Sequence, residues 1–146
     1  MEEYLAIYVN ESAKSRNCTR SPFFNKRYRY VAKHEISGNR RVQISIFRLR
    51  TGHCMLRYTR SRFDKKCDPW CRRCEKNDIQ TEESIEHVML ECVNMNQEVK
   101  NARNQLIMEM SESRMLLADF MISPLAKHYH LLENLVDALL RDNILI

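Results

Sequence analysis

The sequence predicts a mainly α fold, a small helical domain preceded by a basic N-terminal arm. Three observations carry this. Only 2 Gly and 3 Pro occur in 146 residues, which leaves few sharp turns for a sandwich or a barrel. Apolar residues recur at helical spacing from Thr81 onward. A chain of this length can bury a core as one domain without outside staples.

The elements follow in order. Residues 1–13 read as a short helix or a strand. Residues 14–41, KSRNCTRSPFFNKRYRYVAKHEISGNRR, are basic and aromatic and are broken by Pro22, Ser37 and Gly38. They read as loop with short helical pieces, so residues 1–39 form a partly irregular arm. Val42, Ile44 and Ile46 alternate as in a strand. Val42, Ile46, Leu49 and the neighbouring Phe47 fit one helical face instead, and Gly52 stands where a helix stops. Local pattern leaves both readings open.

Further on, Thr81 reads as an N-cap with Glu82 and Glu83 in the first turn, and Ile85, Val88 and Met89 as the apolar face. A second helix is expected from Asn94 or Asn96, with Val99, Ala102, Leu106 and Met110 on one face. Ser111 is expected to cap a third, ESRMLLADFMI. Ser123-Pro124 opens the last. Its stripe is Leu125, Tyr129, Leu132, Val136 and Leu139, widened by Leu131, Leu135 and Leu140. These stripes read as core.

Net charge is +5, but its distribution is uneven. Residues 1–13 hold three Glu and no Lys or Arg, a charge of −3. Residues 14–73 hold 18 Lys/Arg against Glu35, Asp64 and Asp68, a charge of +15. Residues 74–146 hold 6 Lys/Arg against 13 Asp/Glu, a charge of −7. A basic front beside an acidic back points to a polyanion-binding face, or to two halves that pair with each other. No stretch reaches the roughly 18 apolar residues of a membrane span. The acidic start, MEEYLAIYVNES, fits neither a signal nor a transit peptide. The expectation is a cytoplasmic or nuclear, not secreted, protein without a membrane partner. Thiols stay reduced there, which favours metal binding over disulfides for clustered cysteines.

Four of the six cysteines fall in CDPWCRRCEKNDIQTEESIEHVMLEC, residues 67 to 92. Cys71 and Cys74 form a C-x2-C pair, His87 follows, and Cys92 comes five residues after it. Two thiolates two residues apart can face one ion from a tight knuckle. Five residues along an ideal helix is about 140° off-face, so Cys92 is expected at or just past the helix end. Three thiolates and one imidazole make a closed tetrahedral set, which suits one structural Zn2+. Cys67 is a fallback ligand at most. Cys18 and Cys54 read as small apolar residues. No catalytic serine or cysteine arrangement is readable.

FRLRTGHCMLRY, DPWCRRC and EESIEHVMLEC, in this order and at these intervals, resemble a zinc-binding segment. That segment lies near the C-terminus of reverse transcriptases from non-LTR, jockey-like retrotransposons. The likeness covers residues 40–93, and more loosely LLADFMI and LRDNILI. It implies that Cys71, Cys74, His87 and Cys92 bind one Zn2+. It also implies a basic helix over residues 40–50, with Arg48, Arg50 and His53 on the family's most recognisable turn. Residues 40–93 would then be the helix and the CCHC knuckle, and residues 94–146 a helical bundle packed on it. The family's polymerase, endonuclease and ribonuclease H regions have no counterpart here. The chain therefore resembles a non-catalytic part of an RNA-directed DNA polymerase polyprotein and is not expected to be an enzyme on its own.

The metal would then organise a surface. Arg48, Arg50, Arg57, Arg60, Arg62, Lys65, Lys66, Arg72 and Arg73, with Trp70, form the candidate face for RNA or single-stranded DNA. Trp70 reads equally as a base stacker and as a lid over the metal, whereas Tyr58 and Phe63 read as core. Two alternatives stand beside this. One is a protein-interaction module that docks a partner, or a second copy, through the C-terminal leucine-rich helices. The other is a decayed retroelement fragment without selected function.

Overall fold

The computed structural model describes residues 39–123, 125–144 and 146. The arm reading of residues 1–38, Cys18 and Pro124 lie outside them.

The first element is a helix, α1 (Arg40–Thr51). Val42, Ser45, Ile46 and Leu49 are buried on one side, whereas Ile44 is 42% exposed. A strand would have put Val42, Ile44 and Ile46 on the same face. Phe47 lies off the buried stripe at 62% exposure. Asn39 caps the start by accepting the Arg41 amide at 2.9 Å. Gly52 closes the end in the left-handed region, φ 70°. The His53 amide reaches Arg48 O and the Gly52 amide reaches Leu49 O, a Schellman stop.

Two short helices follow, α2 (Arg57–Ser61) and α3 (Arg72–Glu75). Residues 69–71 pair antiparallel with 81–83, through a bridge between Trp70 and Glu82. Thr81 is therefore extended and caps nothing. The helix begins at Ile85, and Ser84 is its cap, with Oγ accepting the His87 amide at 3.1 Å. Its last stretch, His87–Glu91, is a π turn.

The C-terminal half is three helices, α4 (Gln97–Glu112), α5 (Leu117–Met121) and α6 (Ala126–Arg141). Asn96 caps α4, its side chain accepting the Val99 amide at 2.9 Å. Ser111 lies inside α4 and caps no third helix. α4 ends instead at Glu112, and the chain leaves it through Arg114 in the left-handed region (φ 51°), where the Met115 amide bonds Met110 O. Ser123 sits two residues ahead of the N-cap position of α6, which is Leu125. The buried face of α6 starts at His128 and runs through Leu132, Leu135, Val136 and Leu139, and Leu125 is exposed.

α6 is the central helix. It packs against α4, α1 and α5, and α4 also packs on the π turn. One continuous core results, joining Ile46 and Leu49 to Phe120, Leu132 and Leu139, and reaching Cys71, Cys74 and Cys92. The cysteine cluster is thus an extension of the core, walled by α4 on one side.

Candidate metal centre

Cys71 and Cys74 come from the turn that opens α3. The Cys71 amide donates to Thr81 O at 2.8 Å, so the strand-like pairing fixes this cysteine. The Cys74 and Glu75 amides both return to Cys71 O, a tight knuckle with both thiols on its inner side. His87 sits in the first turn after the Ser84 cap. Cys92 is the residue immediately after the π turn, with its own amide donating to His87 O at 2.7 Å. That i→i+5 bond widens the turn and brings position 92 back toward position 87.

The four side chains converge. Cys74 Sγ lies 3.6 Å from Cys92 Sγ and 3.3 Å from His87 Nε2. Cys71 Sγ lies 3.9 Å from Cys92 Sγ. All four ligand atoms fall within 4.8 Å of one another, and all four residues are buried. The five described cysteines are free thiols. Burial pushes the Cys74 thiol up, opposed by its hydrogen bond to Cys92. Burial likewise pushes the Cys92 thiol up to about 12, opposed by the Asn94 amide. A cation at the centre would reverse this preference by replacing thiol protons. His87 Nδ1 is buried without a hydrogen bond, 3.7 Å from Glu91 Oε2. A metal held at Nε2 would leave the proton on Nδ1, the nitrogen nearer that carboxylate. Three soft sulfurs and one imidazole form a donor set that could hold one metal ion.

Cys67 is outside the cluster and its thiol faces Asp68 O at 3.5 Å. Cys54 is buried against Thr59, with Oγ1 at 3.3 Å.

The candidate polyanion contacts divide in two. Arg48 donates to Ile146 O at 3.2 Å, and Arg50 to Met121 O at 2.7 Å. Arg57 and Arg72 share Asp68, at 2.7 and 2.8 Å, and Arg72 also holds Glu75. The Arg57 guanidinium holds the Asp68 carboxyl below its usual range. Arg73 bonds Asn94 O and both the carboxylate and the carbonyl of Asp142. These five arginines tie segments together. Arg60, Arg62, Lys65 and Lys66 are exposed, with no ion-pair partner among the described residues. Phe63 stands among them at 82% exposure, and Tyr58 at 39%, so neither is core. The buried run ends at Leu56, which is 1% exposed, and the segment that follows lies toward solvent. Trp70 is half-buried.

One buried charged residue beside the cluster has no place among the sequence motifs, Arg103. Its signal is its position, four after Val99 and three before Leu106, on the buried stripe of α4. A charge on an apolar stripe is a residue with a buried partner to find.

Comparison with known proteins returns no matching family model, no matching curated protein and no matching solved structure. No helix among the described residues is long and apolar enough to cross a membrane.

Proposed function

We propose that the chain is a zinc-stapled helical module that binds single-stranded nucleic acid through the segment from Arg60 to Lys66. The geometry of the centre favours zinc. Tetrahedral zinc, with Zn–S about 2.3 Å and Zn–N about 2.0–2.1 Å, separates two sulfurs by about 3.8 Å and sulfur from nitrogen by about 3.5 Å. Three of the six distances here, 3.6 and 3.9 Å for sulfurs and 3.3 Å for sulfur to nitrogen, lie within a few tenths, and the whole set falls within 4.8 Å, so the wider pairs would draw in around the ion. Four protein ligands leave no open position, so the ion is a staple and not a Lewis acid.

The observation that carries nucleic-acid binding is the exposed Phe63 between Arg60, Arg62, Lys65 and Lys66. The one acid in that stretch, Asp64, turns its carboxylate back onto the Lys66 amide at 3.0 Å. Four cations are left to face phosphates, with an aromatic face for an unpaired base. The segment is strapped to the knuckle at its root. The Arg57 amide donates to Glu83 at 3.0 Å, and Asp68 joins Arg57 to Arg72. The metal staple therefore sets the orientation of this surface.

The order of the RLRTGH, C-x2-C and H-x4-C motifs supports a further reading. The module corresponds to the C-terminal zinc segment of a non-LTR reverse transcriptase, where it would hold template RNA or target DNA. Docking of a protein through the last helix has less support, since Leu132, Leu135 and Leu139 are 0–1% exposed and serve the core.

The test is fluorescence anisotropy with a labelled single-stranded oligonucleotide, in RNA and DNA forms, across a salt series. Affinity is expected to fall steeply with salt. Phe63→Ala is expected to weaken single-strand binding about 5- to 150-fold, the weight of one base stack. Lys65→Glu/Lys66→Glu should flatten the salt slope. Weak binding insensitive to salt, or binding to anionic vesicles in place of oligonucleotides, rejects the reading.

A further inference from the structure

Arg103 is the only Lys or Arg buried among the described residues, at 6% exposure. Its three donor nitrogens all reach main-chain carbonyls of one turn. Nε donates to Met89 O at 3.0 Å, Nη1 to Cys92 O at 2.7 Å and Nη2 to Val88 O at 3.1 Å. Among the described residues no carboxylate pairs with it. A buried guanidinium without a counter-charge is costly and calls for one.

Two of the three carbonyls that Arg103 takes, Val88 O and Met89 O, have lost the donors a regular helix would give them. In an α-helix the Cys92 amide would serve Val88 O, and the Val93 amide would serve Met89 O. Here the Cys92 amide goes to His87 O. The Val93 amide is directed at the Cys74 thiol and the Asn94 amide at the Cys92 thiol, where each favours the thiolate. The chain's own donors have turned toward the ligands, and the guanidinium fork takes their place. Three donors in one plane match three carbonyls at a helix end, where a cation also meets the negative end of the helix dipole.

The charge has an answer at the same spot. Three thiolates around a divalent ion, with a neutral imidazole, carry one net negative charge. We propose that Arg103 is the positioning residue of the metal centre. It holds open the π turn that brings His87 and Cys92 onto one ion, and it balances the centre's net charge of −1. This rests on the metal reading above. It goes beyond that reading in assigning ligand convergence to a residue on another helix, eleven positions from the nearest ligand.

The test compares the wild type with Arg103→Met and Arg103→Lys. Three quantities are read: zinc affinity by chelator competition, the visible absorption of the Co2+-substituted protein, and helix content. The wild type should bind one zinc. Arg103→Met should weaken zinc about 10- to 100-fold, the range for lost supporting groups around a metal, and shift the Co2+ bands. Arg103→Lys keeps the charge but not the fork, so it should recover part of the affinity while the bands stay shifted. Wild-type affinity and bands in both variants overturn the proposal. Equal weakening in both with unchanged bands also overturns it, since that is a general packing loss. If Arg103→Met does not fold, Arg103→Lys decides alone, and wild-type affinity with wild-type bands sinks the clamp. A wild type that binds no zinc at all defeats the metal reading itself.

Discussion

The Cys92 amide donates to the His87 carbonyl at 2.7 Å, and this single i→i+5 bond sets the H-x4-C half of the centre. On a regular helix the two side chains would diverge by about 140°. The π turn and the departure of the chain at Cys92 (ψ 117°) remove that divergence. A ligand pair five apart meets one ion here through this widened turn and the exit of the chain at Cys92.

Loss of a ligand should unfold the chain. Structural zinc in small modules contributes roughly 10–16 kcal/mol of apparent binding free energy to folding. Cys74→Ser and His87→Ala are each expected to abolish stoichiometric zinc and lower cooperative unfolding temperature sharply. Metal analysis with thermal circular dichroism measures both, and wild-type folding with sub-stoichiometric zinc would refute the staple.

The pH dependence of stability should change sign with metal. In the metal-free protein burial raises Cys92 from the usual 9.0 to about 12. Between those values the unfolded chain has lost its thiol proton and the folded chain has kept it. Stability is then fully present below pH 9 and falls as pH rises toward about 12. In the loaded protein the folded thiols are already deprotonated, while the unfolded chain holds their protons below pH 9. Stability should therefore rise with pH up to that value. Urea unfolding at several pH values, with and without zinc, gives the two slopes. Parallel slopes would exclude thiolate ligation.

Arg73 and Lys65 should separate in effect. Arg73 joins the knuckle to Asp142 at 2.7 Å, in a half-buried contact that also engages Asn94. Arg73→Ala is expected to cost about 1–3 kcal/mol of stability, as for lost hydrogen bonds to charged groups, and to change oligonucleotide affinity little. Lys65→Ala should do the reverse. Paired denaturation and anisotropy measurements decide, and a stronger effect of Arg73→Ala on binding than on stability would contradict the division.

A second buried network joins the helices of the C-terminal half. Ser123 Oγ lies 2.6 Å from His128 Nδ1, and His128 Nε2 lies 3.2 Å from Glu109 Oε1. Ser123 and His128 are 5% and 2% exposed, so removing the hydroxyl strands a buried ring nitrogen. Ser123→Ala should cost about 1–3 kcal/mol by that route. Chemical denaturation measures it, and a neutral effect would mean the nitrogen finds another partner.

The four residues of the candidate metal centre are legible in the sequence because ligand chemistry is local. C-x2-C makes one knuckle, and its residue types admit few other uses at that spacing. Asn96 is legible for the same reason, as a cap satisfies amides only two or three residues away. Other features depend on distant chain segments. Residues 40–51 are helical because α6 offers an apolar face to Val42, Ile46 and Leu49. Thr81 is extended because residues 69–71 capture it, which moves the cap to Ser84. Phe63 is exposed on a segment that lies toward solvent after Leu56, and five of the basic residues are spent on carbonyls and carboxylates up to 98 positions away. Arg103 serves the centre only because α4 packs across the π turn. Residue spacing can name the groups that meet an ion, whereas which charges remain for a partner follows from long-range packing, since burial and pairing are properties of the folded surface.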